Sequence, residues 1–313
     1  MRRLHSLLGV WIVVYLTEHL LVNSQAALFF EDNGFGFISM VNQIHALPYL
    51  KIVELVFLGV PFFIHGAWGV YYALSGKLNA HRSDGNKPAL PQYRRNHAYS
   101  WQRITSWLLL FAIIAHVVHM RFIAYPVVVQ QGEKYLYLVR LNYDSGLPFV
   151  SEKIDAKLYD KSQIDGVRQR LSSDEARLVE REKKPHPDAE YIPHDTYYPL
   201  LDRVNEERRW LEAAEKKPLG PDQILASAPN AGSAFLLIVR EAFKSPLIVV
   251  LYSIFVVAAV FHAFNGLWTV MITWGITLTR NSQKRMRFVT TVLMGIVMFL
   301  GLMAAWGTYW TIH

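Results

Sequence analysis

LIVVLYSIFVVAAVFHAFNGLWTVMIT, residues 247–273, holds no Asp, Glu, Lys or Arg and a single histidine, His262. A helix needs about 20 mostly apolar residues to cross a bilayer, so this run reads as a membrane span. Four more stretches read the same way, at about 7–29, 52–74, 104–125 and 288–310. The first follows Arg2 and Arg3, as a signal peptide would. It exceeds the usual signal core of about 7–15 residues and carries Glu18 and His19, so it is taken as a retained span.

Hydrophobic residues make up 52% of the chain and aromatic residues 13%, yet the mean hydropathy is only +0.16. The charge distribution explains the difference. Residues 130–245 hold 18 basic and 20 acidic residues, whereas the rest of the chain holds 14 basic against 5 acidic. A charged segment is thus inserted into an apolar, basic one. The expected organisation is spans one to three in 1–129, an insertion over 130–245, and spans four and five in 246–313.

Twelve of the fourteen basic residues outside the insertion fall on one side of the spans: Arg2 and Arg3, the set from Lys77 through Arg82, Lys87, Arg94 and Arg95 to Arg103, and Arg280, Lys284, Arg285 and Arg287. The connection between spans one and two has Glu31, Asp32 and Glu54 against Lys51 alone. The positive-inside rule then sets the N-terminus in the cytoplasm, with the C-terminus and the insertion outside. Tyr71, Tyr72, Trp101, Trp107, Trp274, Trp306, Tyr309 and Trp310 gather near the span ends, where interfacial aromatics belong.

Within the insertion, EKYLYLVRLNYDSGLPFV (residues 133–150) alternates apolar and polar residues about Asp144–Gly146 and predicts a β-hairpin there. Residues 162–183 and 199–217, separated by PHPDAEYIP, predict a hairpin of two polar helices. His186 and His194 have no partner at metal-ligand spacing and read as surface residues.

The first four spans each contain one deep histidine: His19, His65, His116 and His262. A buried imidazole is costly at membrane depth and marks a functional site by default. His19 lies 16 residues after Arg3 and His116 lies 13 after Arg103, which sets both toward the outer side. His65 lies 12 residues before Lys77 and His262 lies 18 after Lys244, nearer the middle. These depths allow two pairs without demanding them. Two bis-histidine, non-covalent b-type haems fit such a set, and the absence of cysteine excludes covalent haem attachment and thiolate-held clusters. His119, three residues from His116, competes with it. His5, His45, His81 and His97 read as too near the surface to be ligands. Gly66, Gly69 and Gly266 fit either a close macrocycle or helix contact. RLHSLL at 3–8 and RITSWL at 103–108 each put Arg and Ser at the inner mouth of a span. Arg3, Ser6, Arg103 and Ser106 are therefore candidates for haem propionates, with helix anchoring by snorkelling an equal alternative.

RRLHSLLGV (2–10), EHLLVN (18–23), IHGAWGVYYAL (64–74), QRITS (102–106), AHVVHMR (115–121) and FHAFNGLWTVMITWGITLTRNSQ (261–283) resemble the cytochrome b membrane anchor of succinate:quinone oxidoreductases. The similarity is to the five-helix, single-subunit, di-haem type and covers all five spans. It implies an all-α membrane protein whose first four helices form a di-haem bundle, with a large extracytoplasmic insertion between helices three and four. By motif it implies His19 with His116 on the outer haem iron and His65 with His262 on the inner one. It further implies menaquinone as substrate, flavoprotein (FAD) and iron–sulfur partner subunits on the cytoplasmic side, and a bacterial cytoplasmic membrane. The dicarboxylate site would lie on a partner subunit, and no nucleic acid would be bound. Two features depart from the family pattern: the long insertion, and Glu18 where a neutral residue is usual. Glu18, Asn23 and His45 are candidates for quinone and proton contacts. A quinol:fumarate reductase subunit is the related alternative. A transporter relaying protons through the histidines is the distant one, although five spans without clear inverted repeats fit it poorly.

Overall fold

The computed structural model describes residues 2–27, 34–75, 92–183 and 194–312. Glu31, Asp32, Lys77, His81, Arg82, Lys87 and His186 lie outside them, as does the side chain of His194. The chain divides into two compact units, one of Met1–Phe122 with Ala242–His313 and one of Ile123–Glu241.

Among the described residues, the first unit carries five helices long and apolar enough to cross a membrane: α1 (Arg2–Ser24), α3 (Leu50–Ser75), α4 (Arg94–Ile123), α9 (Pro246–Thr273) and α10 (Arg280–Ile312). A short helix, α2 (Phe35–His45), lies between the first two and packs on α1. α10 opens on a capping box in which the Thr279 and Ser282 side chains each accept from the other's backbone N–H. Its apolar pattern begins just over two turns later, which explains why hydropathy alone starts this span near 288.

Three spans contain a π-helical turn, at Leu55–Gly59, Val118–Ile123 and Met303–Gly307. The first has a local cause. Pro61 has no N–H to give to the Phe57 carbonyl four residues earlier. That carbonyl instead accepts from Trp11 Nε1 of α1 at 2.6 Å, which ties the two spans together.

α1 packs on α3 and α9, and α4 packs on the same two. The four helices close a ring in the order α1, α3, α4, α9, so α1 faces α4 and α3 faces α9 across its centre. α10 lies outside the ring against α1 and α9. Val13, Leu20, Val256, Val260, Phe264 and Val297 form the core between these three. Gly301 allows the close approach of α10, because a Cβ there would meet Val256 Cγ1 at 2.6 Å and Leu20 Cδ1 at 3.0 Å.

The second unit is not all-α. β1 (Val127–Gln131), β2 (Lys134–Asn142), β3 (Lys157–Tyr159) and β4 (Gln223–Ala228) form an antiparallel sheet in the order β1-β2-β4-β3. Two long helices, α6 (Lys161–Lys183) and α7 (His194–Glu215), pack on each other. Val129, Leu138, Leu171, Val204, Trp210 and Leu225 are among the buried residues that join sheet and helices into one core. The unit begins at Ile123, earlier than residue 130, because β1 starts at Val127 and belongs to the sheet.

The expected hairpin turn at Asp144–Gly146 is misplaced. The chain reverses at Gly132, whose φ of 58° suits glycine, and β1 pairs with β2 there. Asp144 instead leads into α5 (Leu147–Lys153) and accepts two hydrogen bonds from Arg240 of α8 (Ala231–Ala242), at 2.7 and 2.5 Å. The Arg240 side chain is only 6% exposed, so its charge must be paired.

Removing one partner of a buried ion pair costs about 3–5 kcal/mol. Arg240→Ala is expected to destabilise the second unit on that scale, seen as a lowered unfolding temperature in the detergent-solubilised chain. Asp144→Leu combined with Arg240→Met is expected to recover most of the loss.

Candidate functional site

The ring of helices brings the deep histidines together in two pairs, each across its centre. His19 of α1 and His116 of α4 have ring centres 6.1 Å apart with planes at 81°. His65 of α3 and His262 of α9 have centres 6.4 Å apart with planes at 83°. His119, within the π turn of α4, is not the residue that faces His19.

The spacing can be tested against a shared metal. An imidazole nitrogen binds a transition metal at about 2.0–2.1 Å and its ring centre lies about 1.1 Å behind it, so two rings on opposite sides of one metal have centres about 6.3 Å apart. Both pairs fit this distance. An aromatic edge contact also falls in this range, and the remaining ring nitrogens separate the two cases. Every Nδ1 has a protein oxygen beside it: the Tyr15 hydroxyl for His19 at 3.5 Å, the His5 carbonyl for His65 at 3.1 Å, the Tyr252 hydroxyl for His116 at 3.0 Å, and the Thr105 hydroxyl for His262 at 3.4 Å. At His19 the Asn23 amide nitrogen is as near to Nδ1, at 3.5 Å. In the tautomer with the proton on Nδ1, these oxygens accept it and Nε2 is the nitrogen left for a metal. Fixing the tautomer through the distal nitrogen is what ligand histidines need.

Each pair supplies two protein ligands, too few for a bare ion. Among the described residues no group of three or more His, Asp or Glu is placed to hold one. A metal that brings its own equatorial ligands suits a two-histidine site, and haem is such a metal.

Further contacts hold the histidine-bearing helices in place. Gln102 of α4 donates to the His262 carbonyl at 3.0 Å and accepts from Asn265 at 2.7 Å. Asn23 donates to the His19 carbonyl at 2.8 Å and so lies one turn from that histidine.

The candidate propionate contacts are largely committed to protein groups. Arg103 donates to the Tyr72 and Ala73 carbonyls at the end of α3 and to the Tyr99 hydroxyl. Ser106 donates to the Arg103 carbonyl. Ser6 donates to the Arg3 carbonyl and accepts from Trp274 Nε1, while the Arg3 guanidinium stands over the Trp274 ring. Gly66 has nothing within 4 Å of the position its Cβ would take, whereas Gly266 lies beside Gln102.

On the His19 side, Glu18 is half-buried, and Tyr15 is within electrostatic reach of both Glu18 and Glu54. Glu54 of α3 is paired with Arg121 of α4 at 2.5 Å. His45, at the end of α2, feels both charges. Burial lowers its pKa, Glu54 opposes that shift and Arg121 adds to it. Sequence reasoning missed this ion pair, although an Arg five residues past the deep histidine His116 was the available signal.

His5 corrects another reading. It does not lie free at the surface: its ring stacks on His65 at 4.1 Å with the planes only 11° apart.

The chain is 23% identical over 304 residues to the succinate dehydrogenase cytochrome b558 subunit of Bacillus subtilis (strain 168), a match covering 97% of this chain and 93% of that protein. It is a relative of a succinate dehydrogenase cytochrome b subunit. No family model and no solved structure matches it.

Loss of a hydrogen bond behind a metal ligand typically costs 10–100-fold in affinity. If each pair holds a haem, Tyr252→Phe is expected to weaken haem retention at the His19–His116 pair on that scale, read as haem lost during purification, and to leave the other pair loaded.

Proposed function

We propose that this chain is the cytochrome b membrane subunit of a succinate:quinone oxidoreductase. In this reading His19 and His116 hold an outer b-type haem, and His65 with His262 hold an inner one. The supporting observation is the pair of cross-bundle histidine spacings, 6.1 and 6.4 Å, in a chain whose relative is named a cytochrome b subunit. Bis-imidazole ligation gives six-coordinate iron that exchanges single electrons and has no open site for oxygen.

The protein's own work is positional. Tyr15, Tyr252, Thr105 and the His5 carbonyl fix the ligand tautomers. The apolar ring of spans excludes water and sets the two pairs at different positions along the bundle. The basic residues at the inner span ends, Arg94, Arg95, Arg280, Lys284, Arg285 and Arg287 among them, then face an iron–sulfur subunit that docks together with its flavoprotein. The chain sits in the cytoplasmic membrane with its N-terminus inside and the inserted unit outside. Menaquinone reacts near the outer pair, where Glu18, Asn23 and His45 are the candidates for its contacts and proton exchange. Electron flow in either direction uses the same residues, so fumarate reduction needs no different site.

The purified chain is expected to show a b-type α-band in the dithionite-reduced minus oxidised spectrum and two haems per chain by pyridine haemochrome. Absence of the band contradicts the reading.

A further inference from the structure

His5 and His65 form a reciprocal clasp between α1 and α3. Each is followed four residues later by a glycine, Gly9 and Gly69. A Cβ on Gly9 would stand 3.1 Å from His65 Cε1, and one on Gly69 would stand 4.0 Å from His5 Nε2. Each imidazole therefore lies over the other helix's glycine, and the two rings stack at 4.1 Å. The clasp is closed by His65 Nδ1 on the His5 carbonyl at 3.1 Å and by the edge of Tyr72 against the His5 ring at 5.4 Å.

One atom in this clasp is unaccounted for. His5 Nε2 is buried and has no hydrogen-bond partner. An unpaired buried polar group costs about as much as a lost hydrogen bond, so a bound group that satisfies it is favoured. Two nearby donors are already engaged, Ser6 by the Arg3 carbonyl and Arg103 by the carbonyls of α3. His5 retains a donor, and it sits against an axial-ligand candidate.

The geometry points to His5 as a positioning residue of the inner haem: its ring braces the plane of His65, and its Nε2–H donates to a carboxylate at the rim of the macrocycle. This rests on the reading that His65 and His262 hold a haem. The carboxylate is the chemistry expected, since the propionates are the only acidic groups that haem b carries. A hydrogen bond to a propionate offsets its negative charge, which otherwise favours ferric iron. Losing the donor therefore lowers the potential of that haem.

The test uses the full-length, haem-loaded protein and three variants, His5→Phe, His5→Ala and His5→Gln. Potentiometric titration reads the donor. The largest g-value of the low-spin ferric signal reads the ligand planes. His5→Phe keeps a ring on His65, so its g-value is expected to hold while the inner haem shifts about tenfold toward the oxidised form at fixed ambient potential, equal to about 59 mV for one electron. His5→Ala is expected to move both readouts, and His5→Gln to regain part of the potential. If the unaltered protein holds two haems and all three variants match it in potential and g-value, the assignment is overturned and the haem reading survives. If the unaltered protein holds no haem, both fail together.

Discussion

Setting a neutral imidazole into an apolar bundle is tolerable only when both ring nitrogens have work to do, and this chain half-buries one in each of four spans. An N–H without an acceptor inside a membrane has no water to fall back on. The helices respond by turning an oxygen toward every Nδ1: two phenols, a threonine hydroxyl and a backbone carbonyl. None of these oxygens is charged. Much else in the first unit serves this requirement. Pro61 frees a carbonyl that ties α3 to α1, Gly9 and Gly69 admit the rings, and Gly301 lets α10 press the bundle closed.

The spans were legible because apolar runs of this length have no other stable use, and the deep histidines stood out within them. Their pairing was less so. Depth counted from flanking charges differs by only a turn or two between the pairs, whereas the packing order of the helices decides which faces meet. His5 was illegible for a different reason: a histidine beside Arg2 and Arg3 looks like a solvated end. Only the spatial match of His5/Gly9 with His65/Gly69 reveals its place. Tyr252 lies ten residues before His262 on the same helix and serves the other pair, a relation that no local pattern encodes.

The inserted unit shows the limits of alternation as a signal. Residues 127–142 alternate on both sides of Gly132 and again toward Asp144, so two turns competed for one hairpin. The buried Arg240 settles the competition, because it needs the Asp144 carboxylate, and that contact comes from 96 residues away in sequence. β3 spans three residues and β4 reads QILASA, both too short or too bland to announce a sheet. The Glu54–Arg121 pair was hidden in the same way, its halves being 67 residues apart on different helices.

The central claim is that the four histidines work as two cross-bundle pairs. Haem stoichiometry in paired variants tests it most directly. The account predicts that a double His19→Ala, His116→Ala variant keeps one haem, because both changes empty the same site, and that a double His19→Ala, His65→Ala variant keeps none. A cross-pair double that still holds one haem, or a same-pair double that loses both, would contradict it.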